Sequence, residues 1–130
     1  MFIVAAEREF FWPVDFWQVG QDGQKVKSTV KFRFRQIRQS AFAKLQRDLA
    51  EIGRTAESEQ AALEAAADAY ARIVAGWDSS TIASADQVPL EFSRQALTDL
   101  LDIPHAGAGI LVAYGEAIAP GGREERRRGN

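Results

Sequence analysis

The chain offers one imidazole, His105, and no thiol at all. Without cysteine a disulfide framework, a thiolate zinc site and a cysteine nucleophile are excluded. His105 follows Pro104 at the expected start of a helix, where the positive end of the helix dipole disfavours an imidazolium; it reads as a surface or capping residue rather than a catalytic one. The carboxylates Asp48, Glu51, Glu57, Glu59, Glu64 and Asp68 are spread along two expected helices. They lack the loop of alternating aspartates closed by a glutamate that would wrap a cation, and they read as solvated faces. Gly107-Ala108-Gly109 and Pro120-Gly121-Gly122 are the glycine clusters that invite a phosphate reading. Neither has the lysine and hydroxyl of a P-loop or the three-glycine spacing of a dinucleotide site, so close helix packing and helix termination explain them better. No catalytic residue, metal ligand or cofactor is therefore expected, and the chain does not read as an enzyme.

The second chemistry worth weighing is electrostatic. Lys25, Lys27, Lys31, Arg33, Arg35 and Arg38 crowd a short segment with aromatic residues nearby, a pattern that can follow a phosphate backbone or stack bases. A small nucleic-acid-binding protein using the basic strand 25–38 is the alternative reading. Against it stand a sequence pI near 5.4 and the alternation that points Phe32 and Phe34 away from the cations and into a core. The formal net charge of −2 conceals a striped chain: residues 25–47 hold eight cations and no acid, whereas residues 48–102 carry a surplus of eight acids. Blocks of one sign set local fields that a total cancels, and they can be complementary within one molecule, between copies in an assembly, or toward an acidic partner.

The elements that must position these residues follow from periodicity. From Val26 to Arg35, apolar and basic residues alternate, which predicts a strand with one apolar and one basic face. Upstream, Phe10–Val19 is rich in aromatic and β-branched residues, and Gly20-Gln21-Asp22-Gly23-Gln24 supplies turn residues, so the two strands form a β-hairpin. Pro13 lacks an amide donor and places the first strand at an edge or only partly in the ladder. Trp12, Val14 and Phe16 occupy one face of that strand and Phe11, Trp17 and Val19 the other, and at least one face needs covering.

After Ser40 the period changes to that of a helix. Phe42, Leu45, Leu49 and Ile52 predict a first helix over Gln39–Ile52, stopped by Gly53. A second helix, capped by Thr55 or Ser58, is expected to run to about Gly76, with Leu63, Tyr70, Val74 and Trp77 on its buried side. Asp78–Val88 reads as a loop. Ser93 caps a third, short helix that Ile103-Pro104 ends, and a fourth follows over His105–Ala119. The expected core is Val30, Phe32, Phe34, Leu45, Leu49, Leu63, Tyr70, Val74, Trp77, Phe92, Leu97, Leu101, Ile110 and Tyr114.

The fold class is thus α+β: an N-terminal antiparallel β-hairpin followed by about four α-helices and a flexible C-terminal tail. At 130 residues and 14.4 kDa the chain suits a single domain, expected over residues 1–119, with a polar tail over 120–130. Glu7, Arg8 and Glu9 interrupt any leader-like apolar stretch, and no run of about eighteen apolar residues occurs, so a soluble, cytoplasmic protein without membrane contact is expected.

The order of these pieces resembles the small tail assembly chaperones of long-tailed, siphovirus-type bacteriophages and prophages. The resemblance lies in Trp12-Pro13-Val14, the Asp22-Gly23 turn, Lys31-Phe32-Arg33-Phe34-Arg35, Val74-Ala75-Gly76-Trp77-Asp78, Val88-Pro89-Leu90-Glu91-Phe92-Ser93, Leu100-Leu101-Asp102-Ile103-Pro104 and Ala113-Tyr114-Gly115-Glu116-Ala117. It covers most of residues 10–119. It implies a non-enzymatic protein of tail morphogenesis that binds the tape-measure protein, keeps it soluble and helps recruit tail-tube subunits in the host cytoplasm, without remaining in the mature virion. In many relatives a ribosomal frameshift also makes a longer product. From the residues themselves, Trp12, Phe16 and Trp17 on an edge strand, with Lys31, Arg33, Arg35 and Arg38 beside them, are the candidate partner-binding residues, suited to a client segment and to a homo-oligomer.

Overall fold

Alternation of apolar and charged residues builds two strands of twelve residues each, β1 (Arg8–Val19) and β2 (Lys25–Gln36). The computed structural model describes residues 1–4 and 8–120. The strands pair antiparallel from Arg8↔Gln36 to Val19↔Lys25. At the turn the Gly20 amide donates to the Gln24 carbonyl at 2.7 Å, the Gly23 amide to the Gly20 carbonyl at 2.9 Å, and the Asp22 carboxylate accepts from the Gln24 amide at 3.0 Å. Gly23 sits at φ 82°, a left-handed conformation that costs glycine nothing.

Four helices follow: α1 (Gln39–Thr55), α2 (Glu59–Tyr70), α3 (Arg94–Leu101) and α4 (Ala106–Ile118). The α+β class and the hairpin-then-helices order agree with the sequence reading. Ser58 is the cap that starts α2, accepting from the Ala61 amide at 3.0 Å, and Ser93 does the same for α3 from the Ala96 amide at 3.0 Å. Gly53 does not stop α1, which continues to Thr55; with no backbone requirement for positive φ there, a glycine in a helix weakens it without ending it.

The second helix was expected to reach Gly76, and here the structure corrects the sequence. It ends at Tyr70, and Val74–Trp77 forms a third strand, β3, so that the sheet has the order β1-β2-β3. β3 pairs antiparallel with β2 through Phe32↔Trp77, Arg33↔Gly76 and Phe34↔Val74, with an irregularity between Arg33 and Phe34. Tyr70, Val74 and Trp77 fall at helical spacing, which made the helix plausible. The open edge of β2 demanded hydrogen-bond partners, however, and a β-branched, glycine-containing segment met that demand at little cost in helix propensity. The Arg35 amide donates to the Ile73 carbonyl at 2.7 Å, and the Asp78 amide to the Lys31 carbonyl at 2.8 Å.

Of the expected core, Val30, Phe32, Phe34, Leu45, Tyr70, Val74, Trp77, Leu97, Ile110 and Tyr114 are buried, while Leu49, Leu63, Phe92 and Leu101 are half-buried. Trp12, Val14 and Ile73 join the buried set. Aromatic rings link the layers: Phe32 to Trp77 at 5.6 Å, Phe34 to Tyr114 at 5.3 Å, and Trp77 edge-on to Phe92 at 4.9 Å. Tyr114 ties α4 to the exit of β2, its hydroxyl donating to the Arg35 carbonyl at 2.8 Å and accepting from the Ile37 amide at 3.1 Å. The expected loop after β3 holds a 3-10 turn at Ser79–Thr81 and a bridge between Ala83 and Pro89, and it is anchored where the Trp77 indole donates to the Leu90 carbonyl at 2.8 Å. Apart from Pro120, the expected C-terminal tail lies outside the described residues.

Candidate partner-binding surface

The hairpin has one covered and one open face. Because side chains alternate along a strand, Phe10, Trp12, Val14 and Phe16 of β1 share a side with Val30, Phe32 and Phe34 of β2, and this side meets the helices. Gly109 of α4 sets the approach: a Cβ there would stand 3.2 Å from the Asp15 carbonyl oxygen and 3.8 Å from the Phe16 ring. Gly107 makes room for Tyr70 of α2 in the same way, with a Cβ falling 2.7 Å from the Tyr70 hydroxyl. The glycine pair is thus a packing device, as its spacing suggested, though one of its two neighbours is a strand rather than a helix.

The opposite side carries Glu9, Phe11, Pro13, Asp15, Trp17 and Val19 of β1, facing Lys25, Lys27, Thr29, Lys31, Arg33 and Arg35 of β2. Among the described residues no helix buries its rings, and Phe11 is 53% and Trp17 55% exposed. Cross-strand partners organise this surface. The Lys31 ammonium lies 4.8 Å from the centre of the Phe11 ring. Glu9 pairs with both Arg33, at 3.4 Å, and Arg35, from which it accepts a hydrogen bond at 3.5 Å. Arg33 also reaches the Ala75 carbonyl at 3.3 Å and lies across Gly76, where a Cβ would stand 3.3 Å from its guanidinium. Thr29 donates to the Asp15 carboxylate at 2.7 Å. Lys25 and Lys27 make no ion pair with any described residue and leave the surface with unneutralised positive charge.

The distal part of the hairpin projects past the short β3, which pairs only with residues 32–34. Residues 21–29 are all exposed there, and Trp17, Val19 and Val26 show apolar surface on both sides of the ribbon. Between the outer edge of β1 and α4, as far as Glu116, runs a groove of about 1030 Å³, walled by Trp17 and Val19 on one side and by Ile103, Gly109 and Val112 on the other.

The candidate residues divide accordingly. Trp17 and Lys31 are on the open face; Arg33 and Arg35 are there too but are engaged by Glu9. Arg38 is exposed at the start of α1, where its carbonyl accepts from the Phe42 amide at 2.9 Å. Trp12 does not stand with Trp17 on an accessible surface: it is 4% exposed and faces the helices, with its indole nitrogen buried and lacking a hydrogen-bond partner among the described residues. Phe16 is half-buried, its ring 5.9 Å from Phe32. Phe11, Val19 and Val112 belong to the exposed apolar set and were not among the candidates. For Phe11 and Val19 the signal was present, since alternation puts both on the Trp17 side of the strand.

Among the described residues no group of three or more histidine or acidic side chains is placed to hold a metal ion. His105 is exposed at the rim of the groove with φ 67°, at the N-cap position of α4, and its side chain makes no capping hydrogen bond. No single described helix is long and apolar enough to cross a membrane. What the surface offers is recognition: exposed rings, surplus cations and an uncovered strand edge. A family model for phage tail assembly chaperones matches residues 1–130, the whole chain. The chain belongs to that family. No curated protein and no solved structure matches it. As a tail assembly chaperone the protein therefore carries its apolar, cationic surface on the hairpin, on the face of the sheet opposite the helices.

Proposed function

We propose that this tail assembly chaperone binds the tape-measure protein and helps recruit tail-tube subunits during tail morphogenesis, acting by binding rather than catalysis. It does so in the host cytoplasm, associates with copies of itself, and is absent from the finished virion. The observation that carries the reading is the open hairpin face, where Phe11 and Trp17 stand exposed beside Lys25, Lys27 and Lys31. Exposed rings surrounded by polar groups are the usual anchors of a protein contact, and a client segment presenting apolar and acidic side chains matches them. The pairing of Arg33 and Arg35 with Glu9 leaves fewer cations free for phosphates than the sequence suggests, which favours a protein client over nucleic acid.

The test is titration of the chaperone with overlapping fragments of the tape-measure protein from the same genome, alongside a random oligonucleotide. We expect at least one fragment to bind, with affinity reduced about tenfold or more in Trp17→Ala, a loss typical of an interface anchor. Salt-sensitive oligonucleotide binding with no fragment bound would overturn the proposal in favour of the nucleic-acid reading.

A further inference from the structure

We propose that the apolar segment Met1–Val4 of one copy docks into the groove between β1 and α4 of a second copy, so that each chain is both donor and acceptor. This rests on the self-association included above but not on client binding. The donor is conspicuous because Phe2, Ile3 and Val4 are 90%, 58% and 76% exposed and belong to no helix or strand. They are strand-forming types, and in extended form Phe2 and Val4 project to one side. The acceptor is the groove of about 1030 Å³ described above, with exposed Trp17, Val19 and Val112 in its walls. β1 is the outer strand of the sheet, so among the described residues its far side has no strand neighbour and can accept another extended segment.

Chain length separates the chain's own segment from a neighbour's at the apolar far end of the groove. Phe2 precedes Arg8 by six residues, and even fully extended it reaches only about 21 Å back along the strand. Trp17 lies nine residues beyond Arg8, about 30 Å away at the rise of a β-strand. The segment in the same molecule can reach the Pro13 end of the groove but not the Trp17–Val19 end, where the exposed apolar walls are. A second copy meets no such limit. Reciprocal exchange would close a two-fold dimer, and one-way exchange would extend an open chain of copies.

The experiment is sedimentation velocity on the full chain over a range of concentrations, comparing the parent with a donor variant, Phe2→Asp with Val4→Asp, and an acceptor variant, Val112→Glu. All three positions are exposed, so the fold should survive, and circular dichroism checks that it does. We expect the parent to associate and each variant alone to do so at least about tenfold more weakly. An equimolar mixture of the two variants should regain one-to-one pairs, because one supplies an intact groove and the other an intact segment. A parent that stays monomeric, variants that associate like the parent, or a mixture that recovers nothing would each overturn the proposal. If the donor variant instead loses binding to lipid vesicles while its sedimentation is unchanged, the segment is a membrane contact and the proposal fails. Tape-measure fragments titrated into the donor variant keep the two readings distinguishable: Trp17 is intact there and no neighbour's segment competes for it, so client binding should be no weaker than in the parent, and its absence would count against the client reading alone.

Discussion

The two faces of the hairpin are written in the same strands with the same residue classes, yet one is the centre of the core and the other an open surface. On the covered face Phe32 and Phe34 are fully buried, and Trp12 and Val14 nearly so or fully so. On the open face Phe11 and Trp17 stay more than half exposed and are flanked by lysine, arginine and glutamate. An aromatic residue on this ribbon is therefore not by itself a sign of core or of site. What separates the two is the company across the strand: Phe32 faces Trp12 and Trp77, whereas Phe11 faces Arg33 and Trp17 faces Lys27.

Truncation on either side should break that comparison if it is wrong. Phe32→Ala removes a buried ring and leaves a cavity, and we expect a loss of about 3–5 kcal/mol in urea denaturation, enough to unfold a marginal domain. Phe11→Ala should cost less than about 1 kcal/mol by the same measurement, because the ring is mostly in water already. Equal losses would mean that the open face is covered in solution.

The glycines give a test of opposite signs. Gly107→Ala drives a methyl group into the Tyr70 hydroxyl and should destabilise by about 1–3 kcal/mol. Gly53→Ala has open space around it in the exposed part of α1 and should stabilise by about 0.5–1 kcal/mol.

Burial can also be read through titration. Removal from water pushes the Tyr70 hydroxyl up to about 12. The unfolded chain releases this proton near pH 10 while the folded chain holds it, so the unfolded state binds fewer protons and stability falls between about pH 10 and pH 12. Tyr70→Phe should abolish that part of the alkaline loss in melts recorded across this range. A wild-type alkaline profile unchanged by the substitution would show that the hydroxyl is solvated.

The smallest effect belongs to the open face. Glu9→Gln removes the carboxylate shared by Arg33 and Arg35, and because the pairs are half-exposed we expect a change within about 0.2–1 kcal/mol, shrinking as salt is added. The same change frees positive charge beside Phe11. It should strengthen binding of an acidic client fragment at low salt, measured by titration, and so sharpen the distinction between a structural face and a recognition face.

Several elements were legible because their signals are local. The alternation in Val26–Arg35, the turn at Gly20–Gln24 and the cap at Ser93 depend on neighbours within a few residues and form where the pattern put them, while Ser58 is one of the two caps the pattern offered for α2. Val74–Trp77 was not legible as a strand, because its helical spacing competes with its β propensity and only the unfilled edge of β2 resolves the competition. The candidate surface was half legible for a related reason. Alternation sorts Trp12 and Phe16 from Phe11 and Trp17, but both sets are apolar enough to be a core.

By itself, then, the sequence determined the α+β class, the hairpin, the helix starts, the absence of cysteine chemistry and the crowding of cations onto one face of β2. Those properties are set by residue type and by spacing of two or of three to four, which act over short distances along the chain. Only the tertiary structure decided which side of β1 is covered. That choice depends on α4 approaching through Gly109 to the Asp15 carbonyl and on Tyr114 fastening the helix to the end of β2, contacts made across long stretches of chain. Once α4 is seated on the Trp12 side, the other side is left to solvent and to partners, because among the described residues no further layer covers it.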